Sequence, residues 1–242
     1  MTDEFDFYPC LVDGAPASIY VNLRYEHETP STDDTLYTVA IRMRERGEHG
    51  IGTAEESADL ALVEDAVIMA ATARAITYVG RLRTAGIWEI VLYGPAGLAG
   101  PLRTTATNYA GDRRHEVRDL LDASWDYYRE LLLPDAERRQ WMDDRRMVQI
   151  LSEQGDNLAI PRRVEHRLFF PTPAARDAFV AATGFTLDST DDAAEGDLPF
   201  RADVYRVDPI DLEHIHEVVM TLVDAALANS GRYDRWLAGI KT

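Results

Sequence analysis

Asp211, His214 and Glu217 recur at three-residue steps. On a helix that spacing sets two carboxylates and an imidazole along one face, a candidate ligand set for a metal ion. His214 and His216 are two apart, about 200° around a helix, so they do not clasp one ion together. The plainer reading of the same face is a solvated helix surface. His166 stands on the apolar side of an alternating run and reads as a core histidine rather than a ligand. Gly94-Pro-Ala-Gly97-Leu-Ala-Gly100 follows an extended run, but it has neither the dinucleotide spacing nor the Gly-Lys-Ser/Thr ending of a phosphate loop. It reads as a strand-to-helix turn. The acidic stretch 188–197 lacks the oxygen-ligand spacing of a calcium loop and reads as a mobile, solvated connection. No nucleophile, base and orienting group stand together. No catalytic, cofactor or metal residue is therefore assigned.

Composition narrows the classes further. A chain of 242 residues exceeds the common single-domain size, and 46% hydrophobic with 28% charged residues suffices for a core in each half. The net charge is −17, with 12 basic against 22 acidic residues up to Pro134 and 13 against 20 beyond it. Both halves being acidic, neither offers the basic face that neutralises phosphates, which disfavours direct nucleic-acid binding. Such a surface suits solubility or a basic protein partner. Lys241 is the only lysine, so a phosphate-loop lysine or a Schiff base inside the fold is excluded. The single thiol, Cys10, makes no internal disulfide and fits a reducing, cytoplasmic setting. The apolar run near residues 60–79 is broken by Glu64, Asp65 and Arg74, and no signal or membrane-spanning pattern is expected.

The elements that would position these residues fall into two sets. In the first half, Ile19, Val21, Leu23 and Tyr25 alternate, as do Tyr37, Val39, Ile41 and Met43, predicting two half-buried strands joined as a hairpin. Thr53-Ala-Glu-Glu56 reads as a capping box, with Glu56 reaching back to the cap. The helix it opens carries Leu62, Ala66, Met69, Ala73 and Ile76 as its expected core stripe. Strands follow near residues 78–83 and 88–93 about the turn Ala85-Gly86, then a helix near 97–107 and a strand near 113–120. Trp125-Asp-Tyr-Tyr128-Arg-Glu-Leu-Leu-Leu-Pro134 reads as a packed closing element.

In the second half a helix is expected over residues 135–154, stopped by Gly155. Val164, His166, Leu168 and Phe170 share one strand face. Thr172-Pro173 caps a short helix ending at Gly184, and strands begin at Phe185 and Phe200. Asp208-Pro209 opens a last helix with the stripe Ile215, Val219, Leu222 and Ala226. The expected fold class is α+β: domains 1–134 and 135–242, each an antiparallel sheet with helices packed on it, the second ferredoxin-like.

Two resemblances join this reading. Residues 17–134 resemble the bacterial family of unknown function DUF695 through the paired strands, the Glu-rich helix start and the Trp-x-Tyr-Tyr…Leu-Pro ending, which implies a fold and no activity. The run Met147-Val-Gln-Ile-Leu-Ser-Glu-Gln-Gly155-Asp156, then Pro161-Arg-Arg-Val-Glu-His166, then Gly231-Arg-Tyr233-Asp234-Arg235-Trp236 resembles the bacterial regulator of ribonuclease E activity B (RraB) family over about residues 143–238. That family usually ends in Tyr-Asp-Gly-Trp, whereas Arg235 holds the glycine position here. The resemblance implies a non-catalytic protein that binds a ribonuclease E-like endonuclease and restrains RNA turnover, with Gly155, Asp156, Tyr233, Asp234 and Trp236 as candidate partner-binding residues. The tail aromatics read either as an exposed anchor or as a C-terminus tucked against the sheet. Two alternatives stand beside it: an enzyme with an interdomain site of carboxylates and a histidine such as His166 or His214, and an acidic nucleic-acid mimic using residues such as Glu213 and Glu217.

Overall fold

The computed structural model describes residues 2–30, 32–194 and 196–242. The chain divides into two compact units, Met1–Arg138 and Arg139–Thr242. Each is an antiparallel sheet with helices packed on it, a two-domain α+β fold.

The first unit opens with β1 (Phe5–Val12) and β2 (Ala15–Asn22), joined at Asp13-Gly14, where both φ angles are positive as a tight two-residue hairpin turn requires. Next come β3 (Thr35–Arg42), α1 (Ala54–Thr72), β4 (Thr77–Thr84), β5 (Ile87–Gly94), α2 (Ala99–Tyr109) and β6 (His115–Leu121). The strand order is β1-β2-β4-β5-β3-β6. The expected hairpin between the strands around Val21 and Val39 does not form: β2 pairs with β1 and β4, and β3 pairs with β5 and β6. The Asp13-Gly14 turn takes β2 first. β1 escapes sequence patterning because it contains Pro9, which a strand tolerates at the edge of a sheet, where β1 lies.

Alternation along β5 sends Trp88, Ile90 and Leu92 into the core beneath α1 and α2. Tyr93, on the other face, stacks on Trp125 at 4.0 Å, and a π-helical turn (Tyr127–Leu132) closes that side. α1 buries a different stripe from the expected one. Leu60, Val63, Val67 and Ala71 face the sheet, while Leu62 and Met69 are 69% and 71% exposed. Glu56 and Glu64 decide this rotation, because both carboxylates find donors beneath the helix. Glu56 accepts from Arg113 Nε at 3.0 Å and Nη2 at 3.1 Å and from the Arg44 amide at 3.0 Å rather than reaching back to Thr53. Thr53 does cap, accepting from the Glu56 amide at 3.2 Å.

The second unit takes most of α3 (Ala136–Glu153), then β7 (Arg162–Phe170), α4 (Pro173–Thr183), β8 (Thr186–Asp191), β9 (Phe200–Asp208), α5 (Leu212–Ala228) and β10 (Arg232–Ala238). Its sheet order, β10-β7-β9-β8, puts the first and third strands in the centre, which is the ferredoxin-like arrangement. Thr172 caps α4 by accepting from the Ala175 amide at 3.1 Å, and Gly184 ends it at φ 69°. α5 starts later than expected, capped by Asp211 rather than opened by Asp208. Val164, Leu168 and Phe170 of β7 pack with Phe179, Ile215, Val219 and Leu222, each burial stabilising by about 1.5–3 kcal/mol. The acidic stretch is partly strand, its residues Asp188, Asp191 and Asp192 paired with Arg163, Arg201 and Arg176; Glu195 within it lies outside the described residues. No helix among the described residues is long and apolar enough to cross a membrane.

Candidate functional site around the last strand

β10 carries three of the sequence-derived candidates, and one irregularity sorts them. Tyr233 stands opposite Leu168 and Arg235 opposite Arg167, so Asp234 is an extra residue, a β-bulge. The bulge lets Tyr233 and Trp236, three apart, both face the core, at 8% and 3% exposure, and leaves the consecutive Asp234 and Arg235 outside. The tail is therefore tucked rather than free. Arg235, in the place of the family glycine, is not among the residues of positive φ, so no left-handed conformation is asked of it.

Trp236 donates its indole N–H to Asp144 Oδ1 at 3.0 Å. The same carboxylate accepts from Gln140 at 2.9 Å and meets His216 Nδ1 at 2.8 Å. Burial pushes the Asp144 carboxyl above its usual range, opposed by these three hydrogen bonds. On the neighbouring strand, His166 Nδ1 lies 3.0 Å from the Tyr233 hydroxyl, while its Nε2 is buried without a partner. Burial holds the imidazole down to about 4, so it is neutral at pH 7.

Gly155 ends α3 at φ 82°. The side chain of Asp156 beside it is fully buried and takes Arg162 Nη1 on both oxygens, at 2.6 and 2.5 Å. Arg162 also donates to the carbonyls of Asn157, Ile160 and Gly239, and Asp156 accepts the Lys241 amide at 3.2 Å. This ion pair ties the end of the chain to the loop after α3.

A cleft of about 300 Å³ opens between α3 and β10. Met147 and Trp236 give it apolar surface, and Asp143, Asp144 and Asp234 outnumber Arg235 among its charges. Of the five candidates, Asp234 and Trp236 line this cleft, Tyr233 supports the strand from within, and Gly155 and Asp156 lie in the loop that secures the C-terminus. Sequence reasoning missed Asp144 and Gln140, and considered His216 only as a metal ligand beside His214. A carboxylate four residues before the buried Val148 was the available signal for Asp144. His214, whose helix face with Asp211 and Glu217 reads from the sequence as solvated rather than metal-binding, meets Asp208 through Nε2 at 3.0 Å. Among the described residues no group of three or more His, Cys, Asp or Glu is arranged to hold a metal ion.

Fold and site together define a two-domain α+β protein whose second domain is a ferredoxin-like sheet closed by a bulged, buried-aromatic strand. Residues 3–133, more than half of the chain, match the family of unknown function DUF695, and the chain belongs to that family. Residues 141–237 match the family described as regulator of ribonuclease activity B. No curated protein matches the chain. Among solved structures, an unknown protein from Galdieria sulphuraria is similar at 10% identity and a TM-score of 0.24, over 86% of this chain and 99% of that one. A candidate glycine cleavage system transcriptional repressor is similar at 10% identity and a TM-score of 0.23, over 85% and 98%. Neither score is high enough to bear on fold or function.

Proposed function

We propose that this protein works by binding another protein, and that its C-terminal domain, residues 135–242, restrains a ribonuclease E-like endonuclease by direct contact in the cytoplasm. The N-terminal domain, residues 1–134, is a separate module. The observation that carries this is one of place: the segment matching the regulator family is the segment that builds the cleft between α3 and β10. Exposed carboxylates at Asp143 and Asp234 beside Met147 and Trp236 suit a basic segment bearing an apolar side chain. The net charge of −17 favours encounter with such a partner. Asp234 makes the contact; Tyr233, Trp236, Gly155 and Asp156 hold its strand and loop in place. Bond-making is not part of the role, since the buried carboxylates of Asp144 and Asp156 are spent on partners of their own.

Biolayer interferometry against a purified ribonuclease E-like endonuclease, at low and at physiological salt, tests it. Wild type binds, and the double variant Asp143→Arg/Asp234→Arg binds at least tenfold more weakly. Equal binding by the variant, or none by wild type at either salt, sinks the proposal.

A further inference from the structure

A groove of about 920 Å³ opens in the N-terminal domain between α1 and the strands β1, β2 and β4. That volume lies toward the upper end of the roughly 300–1,000 Å³ seen for small-molecule sites. Its floor is a row of three partly buried rings: Phe5 of β1 stacks on Tyr20 of β2 at 5.0 Å and on Tyr78 of β4 at 5.4 Å. A bulge in β4 between Tyr78 and Gly80 turns Tyr78 and Arg81 to the same face. Both reach Glu64, the Tyr78 hydroxyl at 2.5 Å and Arg81 Nη1 at 3.3 Å, and Trp88 adds its indole N–H at 2.6 Å. The back wall is thereby rigid and electrically closed.

The charges that remain are not balanced. Two cations line the groove: Arg24 pairs with Asp3 at 3.2 Å, and Arg81 pairs with Glu64 and lies over the Tyr20 ring, 5.1 Å from its centroid, which leaves Phe5 and Tyr78 as the rings without a cation over them among the described residues. Two further carboxylates, Asp33 and Asp65, have no ion pair among the described residues. The Asp33 carboxylate accepts the hydroxyls of Thr77 at 2.9 Å and Thr32 at 3.2 Å, and Asp65 is exposed on α1. An aromatic floor under two surplus carboxylates selects a flat apolar body that carries positive charge and turns away an anion of the same shape.

We propose that this groove binds a small organic cation, a planar aromatic ring bearing a protonated amine, with the ring on the Phe5–Tyr20–Tyr78 row and the ammonium toward Asp33 and Asp65. The site is independent of the cleft in the C-terminal domain, and either can fail alone.

Nitrogen-15 NMR titration of the full chain with tryptamine, and with indole-3-propionate as the same ring of opposite charge, tests it. Tryptamine gives saturable shifts at the amides of Tyr20, Asp65 and Thr77, and indole-3-propionate binds at least tenfold more weakly. Asp65→Asn weakens tryptamine several-fold at unchanged Tm, and Tyr20→Leu weakens both ring compounds. Equal affinity for the two probes, no saturable tryptamine shift, or no effect of Asp65→Asn overturns the proposal. So does a capped Ala-Lys-Trp-Ala peptide that binds tenfold more tightly than tryptamine, since the groove would then be a peptide dock.

Discussion

Trp236 and Asp144 meet through one hydrogen bond of 3.0 Å across 92 positions of chain, so the last strand and the leading helix of the C-terminal domain share a single buried carboxylate. His216 brings α5 to the same group at 2.8 Å. Removing it with Asp144→Ala strands an indole N–H and an imidazole, at a cost of about 2–4 kcal/mol. The exposed neighbour Asp143→Ala shifts stability by no more than about 0.5 kcal/mol. Urea unfolding of the two variants measures the contrast, and similar losses would deny Asp144 its special place.

The Asp156–Arg162 pair is the most enclosed ion pair described, with side chains 0% and 2% exposed. Asp156→Ala leaves a buried guanidinium uncompensated and costs about 3–5 kcal/mol. It also speeds hydrogen exchange at the Lys241 amide, which Asp156 accepts. Asp156→Leu combined with Arg162→Met recovers a large part of the stability; a double variant as weak as the single one contradicts this account.

Burial lowers His166 from an ordinary 6.5 to about 4. Between those values the unfolded chain binds a proton that the folded one does not, so stability is complete above about pH 6.5 and declines as pH falls toward 4. The full effect is on the order of 3 kcal/mol. In His166→Gln that part of the decline disappears. Urea midpoints at pH 7 and pH 4.5, taken as the difference between wild type and variant, isolate it.

At Gly80 an added Cβ would stand 2.4 Å from the Tyr20 carbonyl oxygen, a backbone atom of a central strand. Gly80→Ala therefore costs about 1–3 kcal/mol by forcing β2 and β4 apart. Gly100, in the first turn of α2, has nothing within 4 Å, and Gly100→Ala stabilises by up to about 1 kcal/mol. Thermal unfolding gives opposite signs for the two substitutions if the close approach is the cause.

Local order was readable where neighbouring residues bury together. Val164, His166, Leu168 and Phe170 alternate and share the inner face of β7, and the α5 stripe from Ile215 to Ala226 lies in the core. The cap at Thr172-Pro173 and the left-handed stop at Gly184 belong to their own turns and needed nothing from elsewhere. α1 was misjudged because hydropathy counts a carboxylate as solvent-facing. The donors that bring Glu56 and Glu64 indoors are Arg113, Tyr78, Trp88 and Arg81, 14 to 57 positions away.

The amino-acid order alone determined the acidic character, the α+β pattern, the ferredoxin-like run of elements and both family resemblances, since each rests on composition or on short-range spacing. Tertiary structure decided which strand pairs with β2, which stripe of α1 is buried, and that Tyr233 and Trp236 point inward while Asp234 points out. Strand partners, bulges and buried charges are settled by groups distant along the chain. Their free energy exists only once those groups have been brought together and water excluded.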